Sequence, residues 1–320
     1  MGHNDLPGYW GPATSSIDWC EGTRSPRFTP QFILPSSSLT APLFVVDNYV
    51  VSYYIAEFFN SMSSFAMIIL GEAACYNIGR LQAAIDKSSP NSRTNLFRYK
   101  LAFRTITIVG IGSILFHGTL LHHMQMLDEV PMLYSVIVLF FCLIESRFGP
   151  QPAWFPYLLA IHSVVVTALV AFTEGNIQFY SFHGSFGSLE IISLFLIYKV
   201  YQARKKEHKD VRRVFETGIA MYAIAVAVWA TDLNYCDKPL APWLWGVQDL
   251  KEDSAHTHWI VKDLYFHACW HVLVSLGLYM LSTVILLDGL IVQGWQPKIE
   301  WQGAGLLPVT TVVGRLKKNE

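Results

Sequence analysis

Seven stretches of this chain are each long and apolar enough to cross the roughly 30 Å hydrocarbon core of a bilayer as a helix, which takes about 20 residues. They run over 49–78, 100–121, 127–146, 154–172, 183–201, 214–233 and 264–292. Few folds are open to such a chain, because backbone amides inside lipid must find partners within the protein. The expectation is an all-α membrane protein, a seven-transmembrane helix bundle. Composition agrees: 15% of residues are charged against 52% hydrophobic, and mean hydropathy is +0.33. A net charge of -1 with no basic face sets nucleic acid aside as a partner.

The basic residues orient the bundle. Sixteen Lys and Arg fall in the first, third and fifth loops and the C-terminal tail, against five (Arg24, Arg27, Lys238, Lys251 and Lys262) on the other side. The positive-inside rule then puts the N-terminus outside or in a lumen and the C-terminus in the cytosol, as an odd number of spans requires. The run ARKKEHKDVRR between the fifth and sixth stretches reads as a cytosolic loop rather than a phosphoinositide site. MGHNDLPGYWGPATSSIDWC has no apolar signal-peptide core, so the first span is expected to insert the chain. Three parts follow: a lumenal N-terminal segment over 1–48, the membrane domain over 49–292 and a cytosolic tail over 293–320.

Polar residues inside the apolar stretches carry the chemistry. His267 and His271 in FHACWHVLVSLG lie four apart, on one face of a helix. His117 lies in GSILFHGTL, with Ser113 one turn before it and Asp128 eleven residues after it. By the expected topology all of these come to the outer half of the bundle. Three imidazoles, a carboxylate and a hydroxyl at that depth are the parts of an intramembrane zinc site with its fourth position open for water. In that reading Asp128 passes a proton, and Ser113 bonds either the water, the developing oxyanion or merely its own backbone. Glu129 points about 100° away from Asp128 and is expected to face a neighbour. His162 and His183, without such company, read as interhelical hydrogen-bonding contacts.

GYWGPATSSIDWCE, YYIAEFFNSMSS, FHGTLLHHMQMLDEVPMLY and FHACWHVLVSLG resemble, in this order, the signature stretches of the alkaline ceramidases. The histidines alone would suit adiponectin-type receptors or lipid-remodelling enzymes of GPI anchors, but DWCE is particular to the ceramidases. The resemblance implies a seven-helix hydrolase that uses a zinc-activated water to cleave the amide of a ceramide lipid into sphingoid base and free fatty acid. It also implies a calcium ion, structural or regulatory, held by Asp18, Glu21, Asn48 and Glu57 with the backbone carbonyl of Trp19. Oxygen donors of this kind suit calcium, although no EF-hand spacing is present and solvated or hydrogen-bonded carboxyls are the plainer alternative. This chain departs from the family by interposing Gly22 to Asp47, rich in Pro, Ser and Thr, which reads as an irregular lumenal loop.

Cys20 and Cys236 fall on the outer side, where oxidation is open to them, and the family pattern implies a disulfide between them. Cys75 and Cys142 are expected to stay reduced, and Cys269, off the face of its two histidines, to be a buried free thiol. The chain ends KKNE, with Lys317 and Lys318 spaced as in a dilysine retrieval signal, so residence in the endoplasmic reticulum or Golgi membrane is expected.

Overall fold

The computed structural model describes residues 8–16, 48–49, 51–92, 94–173, 175–235, 266–303 and 305–315. Among them are helices α1 (Phe58–Ser63), α2 (Phe65–Ser88), α3 (Phe97–Thr119), α4 (His122–Phe148), α5 (Trp154–Phe172), α6 (Gly175–Arg204), α7 (Lys209–Tyr235) and α8 (Phe266–Val292). Strands β1 (Trp295–Gln302) and β2 (Leu307–Arg315) pair antiparallel. With α1 and α2 taken together, six helices among the described residues are long and apolar enough to cross a membrane. The 30-residue α6 has the length, but Asn176, Gln178, His183, Glu190 and Lys199 dilute its apolar character.

Burial sorts the helices by their place in the bundle. The most apolar window of α8 is 89% buried, so α8 is the central helix, whereas that of α5 is 11% buried and lies at the periphery. Tyr157, Leu158, Ile161, Val164 and Val165 of α5 are exposed, while Val166 and Val170 pack inward. Such a surface suits hydrocarbon as its solvent. Tyr9, Trp10, Tyr53 and Tyr54 cluster in exposed ring contacts at one end, like an interfacial aromatic belt.

The first expected span, 49–78, is corrected by the structure. Residues 51–57 are not helical, and helix begins at Phe58 because the amides before it are taken elsewhere. Glu57 N–H donates to the His117 carbonyl at 2.9 Å and Ala56 N–H to that of Gly118 at 3.0 Å. These are last-turn carbonyls of α3, left without helical donors where the chain turns at left-handed Leu120 (φ 53°). The Leu120 carbonyl in turn accepts from Thr14 and Ser15, so two separate segments cap one helix end. At its far side the span runs on to Ser88, with Leu81 and Ile85 still buried. Helix α4 also starts earlier than expected, at His122, and α6 at Gly175.

Close backbone approach sets the α3–α4 crossing. Pro131 lacks an N–H, so the Leu127 carbonyl loses its helical donor, and that carbonyl faces Gly112 of α3. A Cβ on Gly112 would overlap it and stand 2.9 Å from the Asp128 nitrogen. Only glycine lets the helices meet this closely, a recurrent membrane solution.

At the opposite end polar groups tie the bundle. Buried Asp288 of α8 accepts from Arg204 Nε at 2.8 Å and from the Ser146 hydroxyl, joining α4, α6 and α8. The segment expected only as a tail folds into the β1–β2 hairpin beneath this end. Trp295, 1% exposed, donates its indole N–H to Thr94 Oγ1 at 2.9 Å, and Tyr279 donates to the Pro308 carbonyl at 2.9 Å. Arg213 lies over the Trp301 ring at 4.2 Å, so part of the ARKKEHKDVRR run is engaged in packing.

Gly112→Ala is expected to lower the thermal unfolding midpoint in detergent, since overpacking at a tight contact costs about 1–3 kcal/mol. Gly187→Ala, where a Cβ meets nothing within 4 Å, is expected to leave it unchanged. Equal midpoints for the two would show that the crossing does not depend on Gly112.

Candidate metal centre

His117 is in the last turn of α3, and His267 and His271 are in the first two turns of α8. The helices bring one ligand atom from each within 4.8 Å of the others, and all three residues are buried. Exposures are 1%, 2% and 0%, so their polar atoms depend on the protein for partners.

Those partners assign the ring protons. His117 Nδ1 lies 2.5 Å from Glu57 Oε2, a carboxylate oxygen that also accepts from Asn60 Nδ2 at 3.0 Å. An ionised carboxylate only accepts, so Nδ1 carries the proton and Nε2 the lone pair. His271 Nδ1 lies 2.8 Å from Ser63 Oγ and 3.1 Å from the Asn60 carbonyl. Ser63 and Ser64 both donate their hydroxyl protons to that carbonyl at 2.9 Å, which leaves Ser63 Oγ as an acceptor. Nδ1–H of His271 then donates to Ser63 Oγ, and its Nε2 also keeps a lone pair. His267 Nδ1 lies 3.6 Å from Asp232 Oδ2 at the end of α7, with Asp232 2% exposed. Asp232 was not singled out in the sequence, where it lies at the edge of the 214–233 stretch and resembles an ordinary helix boundary. An acid inside the final turn of an apolar helix was the available signal.

Ser113 Oγ is 2.9 Å from Ser64 Oγ and 3.5 Å from His271 Nε2. Since Ser64 commits its one proton to the Asn60 carbonyl, Ser113 is the donor in the Ser113–Ser64 pair. Its lone pairs are then the part of the hydroxyl available to another group. Asp128 follows the Leu127 carbonyl that abuts Gly112, so the α3–α4 crossing sets it beside the Ser113 level of α3. Glu129 turns away: it is 8% exposed and accepts from Gln125 Nε2 at 2.6 Å. Gln125 Oε1 in turn accepts from Ser16 N–H at 2.9 Å, which latches the N-terminal segment onto the start of α4.

Of the five expected calcium ligands, Asn48 and Glu57 are described, both buried. The Tyr49 amide donates to the Ala56 carbonyl at 2.8 Å, which draws the two into one turn. Asp18, Trp19 and Glu21 lie outside the described residues, as do Cys20, Cys236, Lys317 and Lys318. Cys75 and Cys142 are free and buried. Cys269 is free but exposed, a correction: two residues from each histidine, it faces away from the bundle interior. His162 bonds Ser185 Oγ at 2.7 Å across α5 and α6, as expected, whereas His183 is a correction: it donates to the Phe179 carbonyl at 2.9 Å, one turn back in its own helix α6.

Residues 46–311 match the Ceramidase family model, a span that takes in every histidine of this cluster. The chain is 27% identical over 300 residues to mouse alkaline ceramidase 3, covering 93% of this chain and 92% of that protein. It is 24% identical to an alkaline ceramidase of Arabidopsis thaliana over 309 residues, 96% of each chain, and 24% identical to human alkaline ceramidase 1 over 291 residues, 88% of this chain and 86% of the human one. A match over so much of the chain, taking in the three buried imidazoles, makes it a member of the ceramidase family.

Proposed function

We propose that this protein is an alkaline ceramidase, a zinc-dependent amidohydrolase that cleaves the amide bond of ceramide or its dihydro and phyto forms. The observation that carries this reading is the convergence of His117, His267 and His271 with the outward nitrogen of each ring directed at a protein partner. Three neutral nitrogen donors suit zinc with one position left open. A zinc ion held there would supply Lewis-acid activation of water.

The chain's own groups do the rest. Ser113, its proton committed to Ser64, accepts a hydrogen bond from the attacking water and orients it. Asp128 takes a proton from that water as its oxygen adds to the amide carbonyl carbon. It then returns the proton to the amine nitrogen as the C–N bond breaks, releasing sphingoid base and fatty acid. Glu57 holds His117 in the required tautomer and orientation.

Calcium belongs to the same reading, held by Asp18, Glu21, Asn48, Glu57 and the Trp19 carbonyl. Burial of Asn48 and Glu57 in one turn supports it, because hard oxygen donors withdrawn from water suit this cation. The distribution of Lys and Arg supports seven helices across a membrane, α6 among them, with the N-terminus lumenal and the C-terminus cytosolic, and the spacing of Lys317 and Lys318 in KKNE supports an endoplasmic reticulum or Golgi membrane.

Purified protein should release sphingoid base from ceramide, lose that activity to a zinc chelator and regain it with zinc. His271→Ala should lose both activity and metal. Asp128→Asn should keep the metal and lose about 10²- to 10⁴-fold in kcat, the usual contribution of a general base. Full turnover by zinc-free His271→Ala protein would sink the mechanism. Because Glu57 is assigned to both ions, Glu57→Gln should weaken calcium binding and also lower zinc affinity by about 10- to 100-fold, as measured by separate titrations. An unchanged zinc affinity would limit Glu57 to calcium. Masking the terminal KKNE with a tag should move the protein forward along the secretory route in imaged cells, and unchanged localisation would count against the retrieval signal.

A further inference from the structure

We infer that Asp232 is the positioning residue of His267. The inference rests on the zinc reading above. His267 and Asp232 are each 2% exposed, and they come from different helices, α8 and α7. Asp232 Oδ2 lies 3.6 Å from His267 Nδ1, slightly beyond a direct hydrogen bond. A carboxylate beside that nitrogen favours the tautomer with the proton on Nδ1, and so leaves the lone pair on Nε2.

The same logic governs all three rings of the cluster. Glu57 faces Nδ1 of His117, and Ser63 with the Asn60 carbonyl faces Nδ1 of His271. Asp232 completes the set. Each ring has an outer partner on Nδ1, each partner comes from outside the ring's own helix, and the assigned lone pairs are all on Nε2. Asp232 is not a fourth ligand in this geometry, because it faces the nitrogen that carries the proton. Its effect is exerted through His267, by holding ring orientation and raising the basicity of Nε2.

Close α7–α8 packing below it holds this placement. A Cβ on Gly277 of α8 would stand 2.9 Å from the Tyr222 nitrogen of α7, so the two helices touch backbone to backbone. That contact lies on the side toward the β-hairpin and keeps the end of α7 against the first turn of α8. An acid at position 232 is thereby held at His267 in a helix pair with little freedom to separate.

The test measures zinc affinity of the full chain in detergent by competition with a chromophoric chelator, for wild type, Asp232→Ala, Asp232→Asn and His267→Ala. Asp232→Ala should bind zinc about 10- to 100-fold more weakly, the usual effect of losing an outer-shell partner. Asp232→Asn keeps the shape and an acceptor oxygen but loses the charge. It should be weakened to an intermediate extent, with the unfolding midpoint of the zinc-free protein unchanged, a separation that a merely structural role would not produce. If Asp232→Ala does not fold, the Asn variant alone decides. Wild-type affinity in the Asp232 variants, with zinc lost from His267→Ala, overturns the assignment of Asp232. Absence of zinc binding by the wild type overturns instead the metal reading beneath it.

Discussion

An imidazole has two nitrogens, and inside a bundle that excludes water both need partners. This requirement organises the histidine end of the protein. Glu57, Asp232 and the Ser63–Asn60 pair face the Nδ1 atoms, and they do so from α7, α1 and the turn before α1. An unpartnered polar group at such a site costs more than a typical hydrogen bond contributes. Removing one outer partner therefore affects a ring's orientation as well as its energy.

The same end is shaped by a second backbone requirement. Helix α3 stops two residues after His117, and its last carbonyls need donors. The amides of Ala56 and Glu57 supply them, which aligns the Glu57 carboxylate with the His117 ring on the same pair of segments. Capping of α3 and support of its histidine are thus one structural event. On the neighbouring helix the Pro131–Leu127 gap and Gly112 bring the Asp128 turn against α3. The opposite end is tied by Asp288, Arg204 and Ser146 and underlaid by the hairpin, so two polar clamps hold the ends of a largely apolar bundle.

Much of the helical architecture was legible before any coordinates, because a run of about 20 apolar residues has few alternatives to a helix in lipid. The 154–172 stretch coincides with α5, whose peripheral position makes it depend little on neighbours. Residues 51–57 were misread as helix because they are apolar and aromatic, while the backbone amides of Ala56 and Glu57 serve another helix's end. The hairpin was missed as well: Trp295 and Ile299 are buried only because α2, α7 and α8 present a surface to receive them. Asp232 escaped notice since its role depends on a partner 35 residues away in sequence.

Sequence alone determined the membrane class, the i, i+4 pairing of His267 with His271 and the donor chemistry of the cluster, since period and side-chain type are local properties. The tertiary structure decided that His117 joins them, which partner faces Nδ1 of each ring, and that Ser113 meets Ser64. Those outcomes depend on crossings between helices, where a single glycine, proline or terminal carbonyl sets the distance between groups that the chain order keeps far apart.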